Sequence, residues 1–293
     1  MAEIRTYVIN LDRATERLAA MGALLGRLGM PFERISAFDA KSLTMEQARK
    51  MTAPRLGAIV HDLPCCLCNE GNEPSIYFPE FRRYLRAGEI GCYVSHLRTI
   101  ETFMQSDAEA AVIFEDDVDI DNDLPGVLRA VSGLAQGAVI VKLEGQLRAH
   151  QMNFPIAHLE GRDIAMMLKP TVGSAAYYLN RAAAARFLQN AFPIREPYDG
   201  FLRQYWLHGV EVLEVLQFPV RQRPVLSSIM GRQGQPRVTM PPLRAALLAA
   251  AKPLLKAERL LRRLMYLGRR PLRLTSLRLR STALATPPRH SSI

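Results

Sequence analysis

The densest chemistry in the chain lies in Ala111-Val112-Ile113-Phe114-Glu115-Asp116-Asp117, where four apolar, β-prone residues lead into three consecutive carboxylates. The apolar part reads as a strand buried on both faces. In open α/β sheets, ligands sit just beyond the carboxyl ends of such strands. Three adjacent carboxylates repel one another unless something positive neutralises them, and a hard divalent cation with oxygen ligands does so. The run therefore predicts a Mg²⁺ or Mn²⁺ site that holds a diphosphate. Six of the nine residues from Glu115 to Asp123 are acidic, so the competing reading is a solvated loop or a carboxylate-rich helix N-terminus. A calcium loop of the EF-hand type needs Gly at position six and Glu at position twelve. Counted from Asp117 those positions hold Asn122 and Leu128, and counted from Asp119 they hold Leu124 and Ala130, which excludes it.

A second group with chemical potential is the pair Arg13 and Arg17, four residues apart and just past the first predicted strand. On one helical face they suit a phosphate or a nucleotide edge, although two arginines in this spacing more often face solvent. The cysteines offer less. Cys65, Cys66 and Cys68 are too tightly spaced for a usual zinc pair, and Cys92 falls within a predicted helix. Ordinary reduced thiols are the expectation, ahead of a structural metal drawing on His61.

The elements that must position these groups alternate between strand and helix. Arg5 to Leu11 reads as an opening strand, followed by a helix to Leu28 with Asp12 as its cap and Gly29 closing it. Phe32 to Asp39 is a second short strand that ends in an acid, starting a βαβ unit. Pro54, Pro64, Gly71, Pro74 and Pro79 predict loops with short helices across residues 41–87. Gly88 to His96 opens a helix that runs through Phe103, and the acidic strand follows it. Further strands are expected at Val139–Leu143, Gly173–Leu179 and Val210–Leu216, with an alanine-rich helix at Arg181–Asn190.

Composition limits the partners. The 293 residues carry a net charge of +10, but the tail from Pro241 onward holds twelve basic residues and one acid. The remaining 240 residues are close to neutral, with 26 basic and 27 acidic side chains. A nucleic-acid-binding domain is thereby disfavoured. With no uninterrupted apolar stretch of membrane-spanning length and no recognisable signal peptide, a cytoplasmic location is expected.

Several segments in register carry a resemblance. Tyr7-Val-Ile-Asn-Leu-Asp-Arg13 with Arg17, Gly88-Glu-Ile-Gly-Cys-Tyr-Val-Ser-His96, Phe114-Glu-Asp-Asp117, Gly173 to Arg181, Pro197-Tyr-Asp199 and Pro219 to Gln222 with Ser228-Ile229 together resemble glycosyltransferase family 25. The family includes bacterial lipooligosaccharide galactosyltransferases and the catalytic domains of collagen galactosyltransferases. The resemblance implies an α/β fold of GT-A type, a Rossmann-like single domain over residues 1–230 with a mainly parallel central sheet. It also implies a nucleotide-sugar donor and inversion at the anomeric carbon. UDP-galactose is the expected donor, and a lipooligosaccharide or other glycan the expected acceptor. On this resemblance Asp117 contacts a Mn²⁺ or Mg²⁺ ion, and Glu115 and Asp116 hold the donor diphosphate. Asn10, Arg13 and Arg17 lie near the nucleotide, Asp39 near its ribose or uracil, and Ser95 and His96 in the central motif. Ser95 and His96 are at least as readily explained by helix packing.

Inversion needs a carboxylate to take the proton of the attacking hydroxyl. Asp199 is the first choice, with Glu144 and Glu196 as competitors. His208 reads as packing, and Tyr205 with Trp206 as either core or an acceptor platform.

The tail, residues 231–293, has no counterpart in this resemblance. Leu243, Leu247, Leu254, Leu261, Leu264 and Met265 share one helical arc and Arg244, Lys252, Lys256, Arg259, Arg262 and Arg263 another, with Pro253 expected to break or restart the helix. A basic amphipathic helix predicts a peripheral anchor on an anionic membrane surface, at the inner face of the inner membrane, where a lipid-linked acceptor would be met. The chain beyond Gly268 reads as disordered. The alternative to an enzyme is a non-catalytic membrane-surface protein that keeps a nucleotide-sugar-binding fold.

Overall fold

The computed structural model describes residues 3–52, 59–64, 72–78, 83–134, 137–146, 151–223 and 242–269. Cys65, Cys66, Cys68, Ser228-Ile229 and the segment beyond residue 269 lie outside them. The chain begins with β1 (Ile4–Asn10), α1 (Thr15–Arg27) and β2 (Phe32–Ser36). A short helix α2 (Met45–Met51) and three strands, β3 (Ile59–Pro64), β4 (Asn72–Phe78) and β5 (Arg83–Arg86), lead into α3 (Ala87–Gln105). Next come β6 (Ala110–Glu115), β7 (Val118–Ile120), α4 (Leu124–Leu134) and β8 (Val139–Lys142). They are followed by β9 (Asn153–Leu159), β10 (Arg162–Met167), β11 (Ala176–Asn180) and α5 (Arg181–Asn190). Two short helices, α6 (Tyr198–Leu202) and α7 (Tyr205–His208), precede β12 (Glu211–Val215) and β13 (Val220–Gln222), and α8 (Pro242–Arg269) closes the described chain.

Eight of these strands form the central sheet, in the order β2-β1-β6-β11-β8-β12-β10-β9. Side chains alternate across it. Tyr7 and Ile113 pack on one face with α3 and α5, while Val8, Val112 and Phe114 pack on the other with α1 and α4. That two-sided burial is why the β6 sequence is an unbroken apolar run, each large side chain contributing about 1.5–3 kcal/mol.

The sheet corrects the expectation of a mainly parallel arrangement. β1 pairs in parallel with β2 and β6, and β8 with β12. The other four pairings are antiparallel: β6–β11, β11–β8, β12–β10 and β10–β9. A strand inserted antiparallel between two others is buried on both faces like a parallel one, so an apolar run does not report direction. The β9–β10 hairpin turns at Glu160-Gly161, both with positive φ, the two-residue geometry that matches strand twist.

Two local expectations also change. Asp12 does not cap α1, whose N-cap is Ala14 without a side-chain bond; the Asp12 carboxylate instead pairs with Arg34 and accepts from Ser36 Oγ at 2.9 Å. Gly29 does close the helix, with φ +65°. Pro253 neither breaks nor restarts the tail helix, because α8 runs through it.

Candidate active site

The three acids end β6 and enter the turn to β7, at the carboxyl edge of the parallel β2-β1-β6 portion of the sheet. Their surroundings differ. Asp116 is buried, accepting from Asn10 Nδ2 at 2.7 Å and from Arg17 at 3.3 Å. Both its oxygens are thus engaged by the opening β1–α1 segment. Glu115 accepts from Ser174 Oγ at 3.0 Å and faces His96 Nε2 at 3.3 Å. Burial opposes its ionisation, yet the bonds from His96 and Ser174 prevail and hold its carboxyl below the usual range.

Asp117 is the exception. Gln222 Nε2 donates to its Oδ2 at 3.2 Å, but its Oδ1 is buried with no hydrogen-bond partner among the described residues. Burial first, then repulsion from Glu115, raises this carboxyl to about 6. An orphaned buried carboxylate oxygen costs about 1–3 kcal/mol unless something positive meets it. A hard cation with oxygen ligands fits that requirement, with Asp117 as the residue that would hold it.

The remaining acids of the run are used differently. Strand alternation puts Asp119 on the exposed side, where it pairs with Arg223 at 2.8 Å. Arg162 binds Asp121 at 3.0 Å and Asp123 at 2.7 Å, and Arg221 also pairs with Asp121. The solvated-loop reading therefore holds for Asp119, Asp121 and Asp123, and the cleft claims only the first three acids.

That cleft brings together Arg13, Arg17, Asp39, Ser95, His96 and the three acids. Arg13 and Asp39 form an ion pair across its rim. Asn10 is buried behind the acids, bound to Asp116 and to the Ala14 carbonyl. One wall is built by α3. Ser95 Oγ donates to the Gly91 carbonyl and accepts from the Phe38 backbone at 2.8 Å. At Gly91 a Cβ would lie 2.9 Å from the Phe38 carbonyl, so only glycine allows the helix to approach this loop. Gly91 and Ser95, one turn apart, thus clamp the loop that carries Asp39.

His96, also on α3, is fully buried. Its Nδ1 lies 3.1 Å from the Tyr177 hydroxyl, which in turn is 2.7 Å from that of Tyr198, and its ring stacks on Tyr198 at 4.0 Å. Sequence reasoning placed His96 but missed Tyr177 and Tyr198, because their identity as buried aromatics hides which ring meets the histidine.

A second cavity adjoins the first and shares Cys92, Glu115 and Gln222 with it. Asp199, in the first turn of α6, lines this cavity beside Ser174 and Tyr198. The structure thus separates Asp199 from the arginines while keeping it on the far side of Glu115. Of its competitors, Glu196 is tied to Arg259 at 2.8 Å and faces α8. Glu144 is buried, with its carboxyl raised by burial to about 7, against Lys142, which pulls it down. It packs on Gly173, whose φ of +111° and lack of Cβ leave the space it occupies.

Tyr205 and Trp206 do not face either cavity. Tyr205 stacks on Tyr266 of α8 at 3.7 Å, and Arg263 lies 5.8 Å over Trp206, so the tail helix covers the expected acceptor platform. His208 is a core residue, as expected, its imidazole held neutral by burial with a pKa of about 4.

The arcs of α8 also point differently from a simple basic anchor. Arg259 and Arg263 face the domain, and Tyr266 and Leu267 pack on the core. The apolar arc is the outward one: Leu243, Leu247, Leu254, Leu261, Leu264 and Met265 are all exposed, Leu254 by 72%. Among the described residues no helix is long and apolar enough to cross a membrane.

Comparison with known proteins gives the family. The profile of glycosyltransferase family 25 (LPS biosynthesis protein) matches residues 3–202. The lacto-N-neotetraose biosynthesis glycosyltransferase LgtB of Neisseria gonorrhoeae is 26% identical over 203 residues, 66% of this chain and 63% of its own length. A glycosyltransferase 25 family member of Drosophila pseudoobscura pseudoobscura is 29% identical over 115 residues, 39% of this chain, and one of Anopheles gambiae is 29% identical over 112 residues. The chain spans only 16% of the length of these two insect relatives.

Proposed function

Because the chain belongs to glycosyltransferase family 25, we propose that it transfers a hexose from a UDP-sugar, UDP-galactose first, to a glycan acceptor with inversion. The observation that carries this reading is the partnerless buried oxygen of Asp117 in a cleft walled by two arginines. Arg13 and Arg17 bind the nucleotide diphosphate by charge-assisted hydrogen bonds. Asp116, fixed by Asn10 and Arg17, orients the turn that presents Asp117. Mn²⁺ or Mg²⁺ held by Asp117 would supply, when bound, Lewis-acid stabilisation of the leaving diphosphate.

The acceptor enters through the second cavity. Its hydroxyl oxygen bonds to the anomeric carbon, its proton passes to the Asp199 carboxylate, and the bond to the diphosphate breaks with its electron pair leaving on UDP. The acceptor class we assign is a lipooligosaccharide-type glycan at the cytoplasmic face of a membrane, reached through the outward apolar arc of α8 and neighbouring basic residues.

A panel of UDP-sugars with and without Mn²⁺, read by mass spectrometry for UDP release and transfer, tests the chemistry. Mn²⁺-dependent turnover of one UDP-hexose is expected; turnover of none, under any cation, overturns it. Vesicle sedimentation tests the membrane. Leu254→Gln and Leu261→Gln should each weaken binding to anionic vesicles at least about tenfold, from about 1.5 kcal/mol or more of lost burial per side chain. Unchanged binding refutes the anchor.

A further inference from the structure

Where the two cavities meet, three side chains of unlike chemistry converge. The Cys92 sulfur, a His96 ring nitrogen and a Glu115 carboxylate oxygen lie within 4.8 Å of one another. Cys92 and His96 are one turn apart on α3, so helix geometry alone puts them on one face. We propose that Cys92, His96 and Glu115 form a site for a thiophilic divalent cation of the Zn²⁺ class, distinct from the hard-cation position at Asp117.

The donor set decides the class. One thiolate, one imidazole and one carboxylate suit zinc, whereas magnesium and manganese prefer oxygen alone. Tetrahedral bonds to such donors place neighbouring ligand atoms about 3.3–3.8 Å apart. His96 Nε2 and Glu115 Oε1 are already 3.3 Å apart, and the sulfur, within 4.8 Å of both, needs to close by about 1.5 Å at most.

The imidazole is pre-oriented. Its Nδ1 is held by the Tyr177 hydroxyl at 3.1 Å, itself backed by Tyr198, which aims Nε2 at Glu115 and matches the outer-shell support of metal-bound histidines. Burial and the nearby carboxylates of Glu115, Asp199 and Asp117 keep the free thiol protonated; a bound divalent charge reverses that balance and expels the proton. Both cavities open onto Cys92 and Glu115, leaving a fourth position for water or a ligand. An ion here would withdraw Glu115 from its other partners and stand between donor and acceptor sides. This site stands independently of the transferase reading, and its test reads metal binding without turnover.

The probe is Co²⁺ added to the reduced, full-length chain. The expected result is a near-ultraviolet thiolate-to-cobalt charge-transfer absorption with the visible bands of a four-coordinate ion, erased by Zn²⁺ and unaffected by Mn²⁺. The triple variant Cys65→Ser, Cys66→Ser, Cys68→Ser keeps the absorption, and Cys92→Ser loses it. Tyr177→Phe weakens Co²⁺ about 10- to 100-fold with unchanged circular dichroism. Peptide-level alkylation of the unmutated chain gives an answer independent of folding of any variant: Zn²⁺ should protect Cys92. Absence of the cobalt absorption, its loss in the triple variant, its persistence in Cys92→Ser, or equal alkylation of Cys92 with and without Zn²⁺ overturns the proposal and leaves His96 as a satisfied core histidine.

Discussion

Replacing Asp117 by asparagine should stabilise the cation-free protein. The carboxyl titrates at about 6 in the fold against an ordinary 3.8, so between about pH 4 and 6 the folded chain holds a proton that the unfolded chain has lost. Stability therefore falls as pH rises through that window, and the full loss is present above it. A rise of this size in a carboxyl's pKa corresponds to about 3 kcal/mol. Because part of the carboxylate meets solvent, screening reduces this to about 1–2 kcal/mol. Asparagine keeps an acceptor for Gln222, which donates to Oδ2, and removes the charge that Glu115 and Asp116 repel. Thermal denaturation at pH 7 in EDTA should show Tm higher by about 2–8 °C, at about 2–4 °C per kcal/mol for a domain of this size. At pH 4 the difference should vanish, since both forms are then neutral. A variant less stable than wild type at pH 7, or equally shifted at both pH values, would refute the idea that Asp117 is a strained, cation-seeking carboxylate.

Three further outcomes follow from the same geometry. Asp199→Asn should lower kcat about 10²- to 10⁴-fold while leaving UDP binding intact, and Glu144→Gln should not; the reverse pattern would move the base to Glu144. Arg13→Ala should weaken UDP about 10- to 100-fold through loss of a charge-assisted bond of about 1.5–3 kcal/mol, measured by calorimetry, and an unchanged affinity would remove Arg13 from the donor site. Gly91→Ala should destabilise the chain by about 1–3 kcal/mol, because the added Cβ meets the Phe38 carbonyl at 2.9 Å; a neutral substitution would show that this approach is not tight.

Much of the site could be read from residue order because the groups are local to strand ends. The run from Ala111 to Asp117 announced both a buried strand and its acidic edge, and Arg13 and Arg17 reach the same cleft although Arg13 lies in the turn before α1 rather than on the helical face expected. What the sequence concealed depends on contacts between distant segments. Nothing in Asp116 and Asp117 distinguishes the residue bound by Asn10 and Arg17 from the one left with an orphaned oxygen. Strand direction was equally hidden, since β11 is as apolar between antiparallel neighbours as it would be between parallel ones. In α8 the sequence separated a leucine arc from a basic one and suggested a membrane-surface anchor, without telling which arc meets the domain. The domain holds the helix by Arg259, Arg263 and Tyr266, and the leucines face out. Gly91 and Ser95 were visible as a motif, but their job of clamping the Phe38 loop requires knowing that the loop passes over α3.

The central claim is that Asp117 recruits a divalent cation that secures a nucleotide diphosphate. Titration of UDP into the wild-type chain and into Asp117→Asn, each with Mn²⁺ and with EDTA, tests it most directly. The account predicts strong binding only in the wild type with Mn²⁺. UDP affinity that is the same in the variant, or indifferent to the cation in the wild type, would contradict it.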